Sequence, residues 1–354
     1  MPSNIARSVA IIAIVMHHWL NLPSDDSTFM SGSLSGLEQI TGTFVHVFFV
    51  LSGYGLLLSH YKTPRSWGKW AAHRARKILF PYWIIVLLTF LLANATGHDY
   101  SWRTLLAYLT LTRNFYDPSW SLNMTLWFMP VIAGLYLCFP VLVKVLELYG
   151  SRVLLGTSAI ITYGYIIICI AFGRMPEHQN AFFLAHLIEF SLGMALARVS
   201  VTKPCQFNWL DAPKAFWGGA FVYGLSAIIS VKWEYGLFFN DILTALGLSA
   251  MFMGGGRIMA KANLWKVSAR LAEASYIIYL THFPVIIFLV KPVWNEHMSA
   301  LWTLFCGIVF ALLISSFFTL AYAVGKTCTL TFEPAQETDH EDAGNCRGGG
   351  TSYK

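Results

Sequence analysis

The sequence predicts an all-α, polytopic membrane protein of about ten transmembrane helices around a central cavity. Hydrophobic residues make up 56% of the chain and the mean hydropathy is +0.55. Charged residues make up 12%, about half the roughly 25% of a soluble domain. Apolar runs recur along the 354 residues, each near the roughly 20 residues a helix needs to cross the bilayer core. A membrane barrel would instead show short alternating segments.

The expected segments are 7–22, 39–59, 78–95, 125–146, 153–173, 181–197, 214–231, 237–256, 274–292 and 299–325. Together they make one membrane-embedded domain over 1–326, followed by a polar, Gly-rich tail, 327–354, which has little to bury and is expected to be disordered. With an even count both termini share a side, and lysine and arginine asymmetry chooses it. Outside the tail, seventeen basic residues fall on the side of Arg7 and only five, Arg103, Arg113, Arg174, Lys232 and Lys291, on the other. Both termini are therefore expected in the cytoplasm. No cleavage site follows the first apolar run, so that helix is expected to stay.

Between the third and fourth segments, "YSWRTLLAYLTLTRNFYDPSWSLN" has the aromatic content of an interfacial segment at the membrane mouth, a lid or part of an acceptor site. Ser52, Gly53 and Gly55 suit a kink or a close helix approach. Pro81 is expected near the start of the third segment, where it disturbs a helix least. The six cysteines are scattered without paired metal spacing or a disulfide framework, and no metal is expected. The formal charge of +6 is spread by topology rather than gathered into a patch, which excludes nucleic acid as the natural partner and leaves membrane lipid. No internal repeat is visible by eye, which weighs against many transporter architectures. Oligomeric state is not encoded in any of these features.

The first segment, "ARSVAIIAIVMHH", carries ionisable groups at both ends, and such groups are costly in hydrocarbon. Arg7 and His18 are eleven positions apart, so on a helix they lie within about 20° of one face and about 16 Å apart along the axis. His17 points roughly 80° away from Arg7. Either Arg7 and His18 share a cavity, or Arg7 snorkels to one surface and the histidines mark a wet helix end. In "HRARKIL", Arg74 and Lys77 are three apart and share a helical face, which ordinary positive-inside charge would also produce. His186 and Glu189, spaced i, i+3 in "AHLIEFSLGMALAR", can face one cavity or fix helix packing as a polar couple.

Four stretches in order, Arg7 to His18, "FFVLSGYG", "RARKILFPYW" and "SYIIYLTH", resemble the acyltransferase-3 family of integral-membrane O-acyltransferases. Typical members show an arginine, ten residues and a histidine on the first helix, then "FFxLSGF", an Arg-rich element leading into "RILPPYW", and "SYxxYLxH". The likeness extends to about Lys326. It implies transfer of an acyl group, usually acetyl, from acetyl-CoA or another acyl-CoA on the cytoplasmic side to a hydroxyl of a cell-surface glycan or related carbohydrate. It also implies a bacterial inner membrane.

On the resemblance, His18 and Arg7 are catalytic. Histidine suits the role of base because its ordinary pKa is about 6.5, and direct transfer and an acyl-histidine intermediate both remain open. Arg74, Arg76 and Lys77 are the donor-binding set. The family's second basic motif ends in arginine where this chain has Lys77, which attracts phosphate without the bidentate fork. His46, His186, Glu189, Tyr279 and His282 are expected to line the cavity. Two departures stand out. Thr125 occupies the place of the glutamate in the family's "WSLxxE", beside Trp120 and Trp127, so either the chain belongs to a subgroup anchored by "LWF" or the acid is supplied elsewhere, for instance by Glu189. The segment before Arg7 is also shorter than in relatives. A transporter or flippase for a lipid-linked sugar or small metabolite is the competing reading; a non-catalytic partner of a glycan synthase is a third.

Overall fold

The computed structural model describes residues 2–20, 40–116, 122–172, 182–202, 212–233, 236–261 and 265–290. Helices α1 (Pro2–Leu20), α2 (Val45–Lys62) and α3 (Trp67–Ala95) are followed by the short α4 (Trp102–Leu109) and α5 (Arg113–Tyr116). After one 3₁₀ turn, Met124–Trp127, come α6 (Phe128–Ala171) and, behind a second turn at Phe183–His186, α7 (Leu187–Thr202). Helices α8 (Ala212–Lys232), α9 (Gly236–Phe239), α10 (Asp241–Lys261) and α11 (Trp265–Pro284) complete the described bundle, with α11 continuing as a π-helix over Val285–Val290. No strand occurs among the described residues. The tenth expected segment, the tail and Trp120 lie outside them.

Five described spans are long and apolar enough to cross a membrane: Ile40–Lys62, Trp67–Ala95, Met124–Ala171, Phe183–Thr202 and Ser268–Phe288. The third contains two of the expected segments. At Gly150 the backbone turns to φ 84°, a conformation that glycine adopts without a Cβ penalty. The chain reverses there: before it, Gly134 lies against Phe183 and Leu146 accepts a hydrogen bond from Arg198, whereas beyond it Ser158 meets Ser191 and Thr162 reaches back to Leu184.

Helix α3 shows why the bundle suits lipid. Phe80, Ile84, Leu87, Leu88 and Leu91 are exposed along one stripe, while Tyr82, Val86, Thr89 and Ala93 on the other face are buried. A water-facing surface would not repeat large apolar side chains at this spacing. The helix begins eleven residues before the expected position 78, because the basic stretch continues the apolar run without a break. Pro81 therefore sits inside the helix rather than near its start, a correction to the sequence reading.

Glycine lets backbones touch where lipid supplies no hydrophobic drive between helices. A Cβ on Gly53 would collide with the carbonyl of Phe190, and one on Gly193 with that of Val50, so α2 and α7 pack backbone against backbone. Gly219, Gly247 and Gly254 perform the same service between α8 and α10. Helix α1 runs antiparallel to α2, with His17 against Gly42 and Arg7 against Gly55. It runs parallel to α11, to which Ser8 Oγ donates at the carbonyl of Ser268 (2.7 Å).

Gly193→Val is expected to cost about 1–3 kcal/mol through overpacking, read as a lower melting midpoint in detergent. Gly218→Ala, which faces open space, should leave the midpoint unchanged or slightly raised.

Candidate active site

Two groups of ionisable side chains occupy the two ends of α1. At the end near Arg7, the guanidinium lies against α2, where a Cβ on Gly55 would stand 3.4 Å from Arg7 Nη2. Arg74 on α3 donates to Ser59 Oγ (3.1 Å). Arg7, Arg74 and Lys77 are close enough to interact electrostatically. Tyr136 on α6 faces the same group, in electrostatic reach of Arg74 and Arg7. Arg76 is not brought into this trio. It lies two residues from Arg74, about 200° around the helix, and is exposed beside His73.

At the other end His18 meets His282 of α11. His282 is fully buried, and its Nδ1 faces the carbonyls of Ile278 (3.0 Å) and Tyr279 (2.8 Å). Carbonyls only accept, so this nitrogen carries the proton and Nε2 of the neutral ring holds a lone pair. That Nε2 lies 3.1 Å from His18 Nδ1, which also stands 2.8 Å from the carbonyl of Ile14. Both neighbours of His18 Nδ1 are acceptors, so the hydrogen-bond network assigns it the N–H. The basic atom of His18 is then Nε2. His17 sits edge-on to His18 with ring centroids 5.0 Å apart, and Phe283 packs at 5.9 Å.

Tyr279 lies one turn before His282 and donates its hydroxyl to the carbonyl of Thr125. The Thr125 side chain is itself tied to Asn123 Oδ1 (2.8 Å). Arg113 is fully buried nearby, bonded to Asn114 Oδ1 (3.3 Å), over the ring of Tyr108 at 5.0 Å and in electrostatic reach of Tyr279. The expected interfacial loop is thus partly built into the core.

His46, His186 and Glu189 come together as a third group, with Asp241 added. His46 Nδ1 is 2.7 Å from Glu189 Oε1, His186 Nδ1 is 3.2 Å from Glu189 Oε2, and His46 Nε2 is 3.7 Å from Asp241 Oδ1. Phe49 stacks on His186 at 4.1 Å. A run of rings, Tyr279 to Phe128 (5.4 Å) and Phe128 to Phe49 (4.9 Å), connects this group with the histidine pair. A crevice lined by Ile5, Val9, Phe44, Phe216, Leu248 and Met251 is apolar, and none of the expected site residues lines it.

Sequence reasoning missed Asp241, Tyr136 and the burial of Arg113. Asp241 had a signal, an acid opening an apolar run. Arg113 was counted among outer-surface charges, and Tyr136 is one aromatic among many in its helix.

A basic trio gathered at one end of α1 and a histidine pair at its other end are chemical features that acyl transfer from a phosphate-bearing donor would use. The model of the acyltransferase-3 acyltransferase domain matches residues 3–320, nearly the whole chain. The chain belongs to the acyltransferase-3 family. It is a multi-pass membrane acyltransferase, which decides against the transporter reading. No curated protein and no solved structure matches it.

Glu189→Ala removes the carboxylate shared by two imidazoles and is expected to destabilise the bundle by about 3–5 kcal/mol. Protease resistance and melting midpoint in detergent measure the loss.

Proposed function

We propose that this acyltransferase moves an acyl group, acetyl by preference, from acyl-CoA to a hydroxyl of a cell-envelope carbohydrate. The observation that carries the reading is the layout of α1. Arg7 sits in a cationic trio at one end, and His18, with Nε2 left as its basic atom, sits at the other. Eleven residues separate them, a rise of about 16 Å, comparable to the reach of an extended phosphopantetheine arm. Arg74 and Lys77 then attract the donor phosphates, with Arg7 on the same donor side. Arg76, on the opposite face, contributes only to the general positive field. Placing the arginine end in the cytoplasm of a bacterial inner membrane agrees with the lysine and arginine asymmetry. The acetyl donor and the carbohydrate acceptor rest on the family resemblance.

In direct transfer, His18 Nε2 takes the proton of the acceptor hydroxyl as its oxygen attacks the thioester carbonyl. The C–O bond forms, the C–S bond breaks, and the proton passes from His18 to the leaving thiolate, giving the ester and free CoA. Through the step His18 Nδ1–H keeps its acceptors, Ile14 O and His282 Nε2, which hold the ring orientation and stabilise the transient imidazolium. His282 is thus a positioning residue. An acyl-histidine at Nε2 would use the same geometry.

Release of CoA thiol from acetyl-CoA by purified protein tests this reading. His18→Ala is expected to lower turnover by about 10²–10⁴-fold at unchanged melting midpoint. Arg74→Ala should raise the donor KM with a smaller effect on kcat. Wild-type turnover by folded His18→Ala would overturn the assignment.

A further inference from the structure

We propose that His46, His186, Glu189 and Asp241 form a structural binding site for one divalent transition-metal ion of the zinc type. One ligand atom from each side chain lies within 4.8 Å of every other. Tetrahedral zinc, with bonds near 2.0–2.2 Å, sets its ligand atoms about 3.4 Å apart, so small side-chain rotations close the site. Four helical segments supply it: α2 gives His46, the turn before α7 gives His186, α7 gives Glu189 and α10 opens with Asp241.

Charge balance points the same way. Glu189 and Asp241 are both buried, and among the described residues the cationic side chains facing them are His46 and His186. Two buried carboxylates need two compensating charges. Two imidazolium protons supply them, or one divalent cation that displaces both protons and leaves the group neutral. Imidazole is the cationic side chain that can exchange its proton for a metal, and a two-nitrogen, two-oxygen set suits zinc better than magnesium or calcium, which prefer oxygen alone. His46 has a carboxylate oxygen near each nitrogen, Glu189 Oε1 at 2.7 Å from Nδ1 and Asp241 Oδ1 at 3.7 Å from Nε2, so either nitrogen is placed to ligate. The stack of Phe49 on His186 fixes the second imidazole. With all four positions filled by protein the site is closed, as structural zinc sites are. The sequence reading expected no metal because the ligands come from positions 46, 186, 189 and 241, outside any short motif.

The test uses detergent-purified full chain, stripped with chelator and titrated with Zn²⁺ or Co²⁺. One ion per chain by elemental analysis, visible tetrahedral Co²⁺ bands and a raised melting midpoint are expected. Asp241→Asn and Glu189→Gln should each weaken binding by about tenfold or more, while His18→Ala binds as wild type. Folded wild type that takes up no ion and gives no Co²⁺ bands would overturn the site, as would unchanged binding by both carboxylate variants. None of these readouts depends on acyl transfer.

Discussion

An ionisable side chain inside a membrane bundle must find its counter-charge or hydrogen-bond partner on another helix, because lipid offers neither. That constraint organises this protein. His18 on α1 is answered by His282 on α11, Glu189 on α7 by His46 on α2, and Arg74 on α3 by Ser59 on α2. The first two pairs join elements far apart in sequence and the third ties two consecutive helices, so the polar contacts set helix register. The glycine contacts of α2 with α7 and α8 with α10 then bring the backbones near enough for short polar side chains to meet.

Helix α1 carries the functional consequence. It is held at one end beside α2, where Arg7 lies against Gly55, and at the other beside α11, where His282 fixes the imidazole of His18. The same two packing surfaces that stabilise the helix separate a cationic end from a basic one. In the proposed reaction a donor with phosphates at one terminus and a thioester at the other spans that separation, and the acceptor hydroxyl meets the thioester at the histidine end. Burial of Tyr279, Thr125 and Arg113 beside α11 makes the segment after α3 part of the wall around that end.

Local periodicity made part of this legible. The shared face of Arg7 and His18 follows from the helical repeat, and the His186–Glu189 contact from their spacing of three. The expected segments 125–146 and 153–173 fall on the two arms of α6, on either side of the reversal at Gly150. The partners across helices were not legible: nothing in "VHVFFV" names Glu189, and nothing near Asp241 names His46. Such contacts depend on helix order in the bundle, which one sequence does not encode locally. The early start of α3 was hidden for a related reason, since hydropathy marks where a helix enters lipid rather than where it begins.

The central claim is that α1 carries the donor's two ends, phosphates toward Arg7 and acyl group toward His18. An experimental structure with a non-hydrolysable thioether analogue of acetyl-CoA tests it most directly. The account requires the phosphates against Arg74 and Lys77 and the acyl carbonyl beside His18 Nε2. An acyl group that stays among the arginines, or lies against Glu189 and Asp241 with His18 remote, would contradict it.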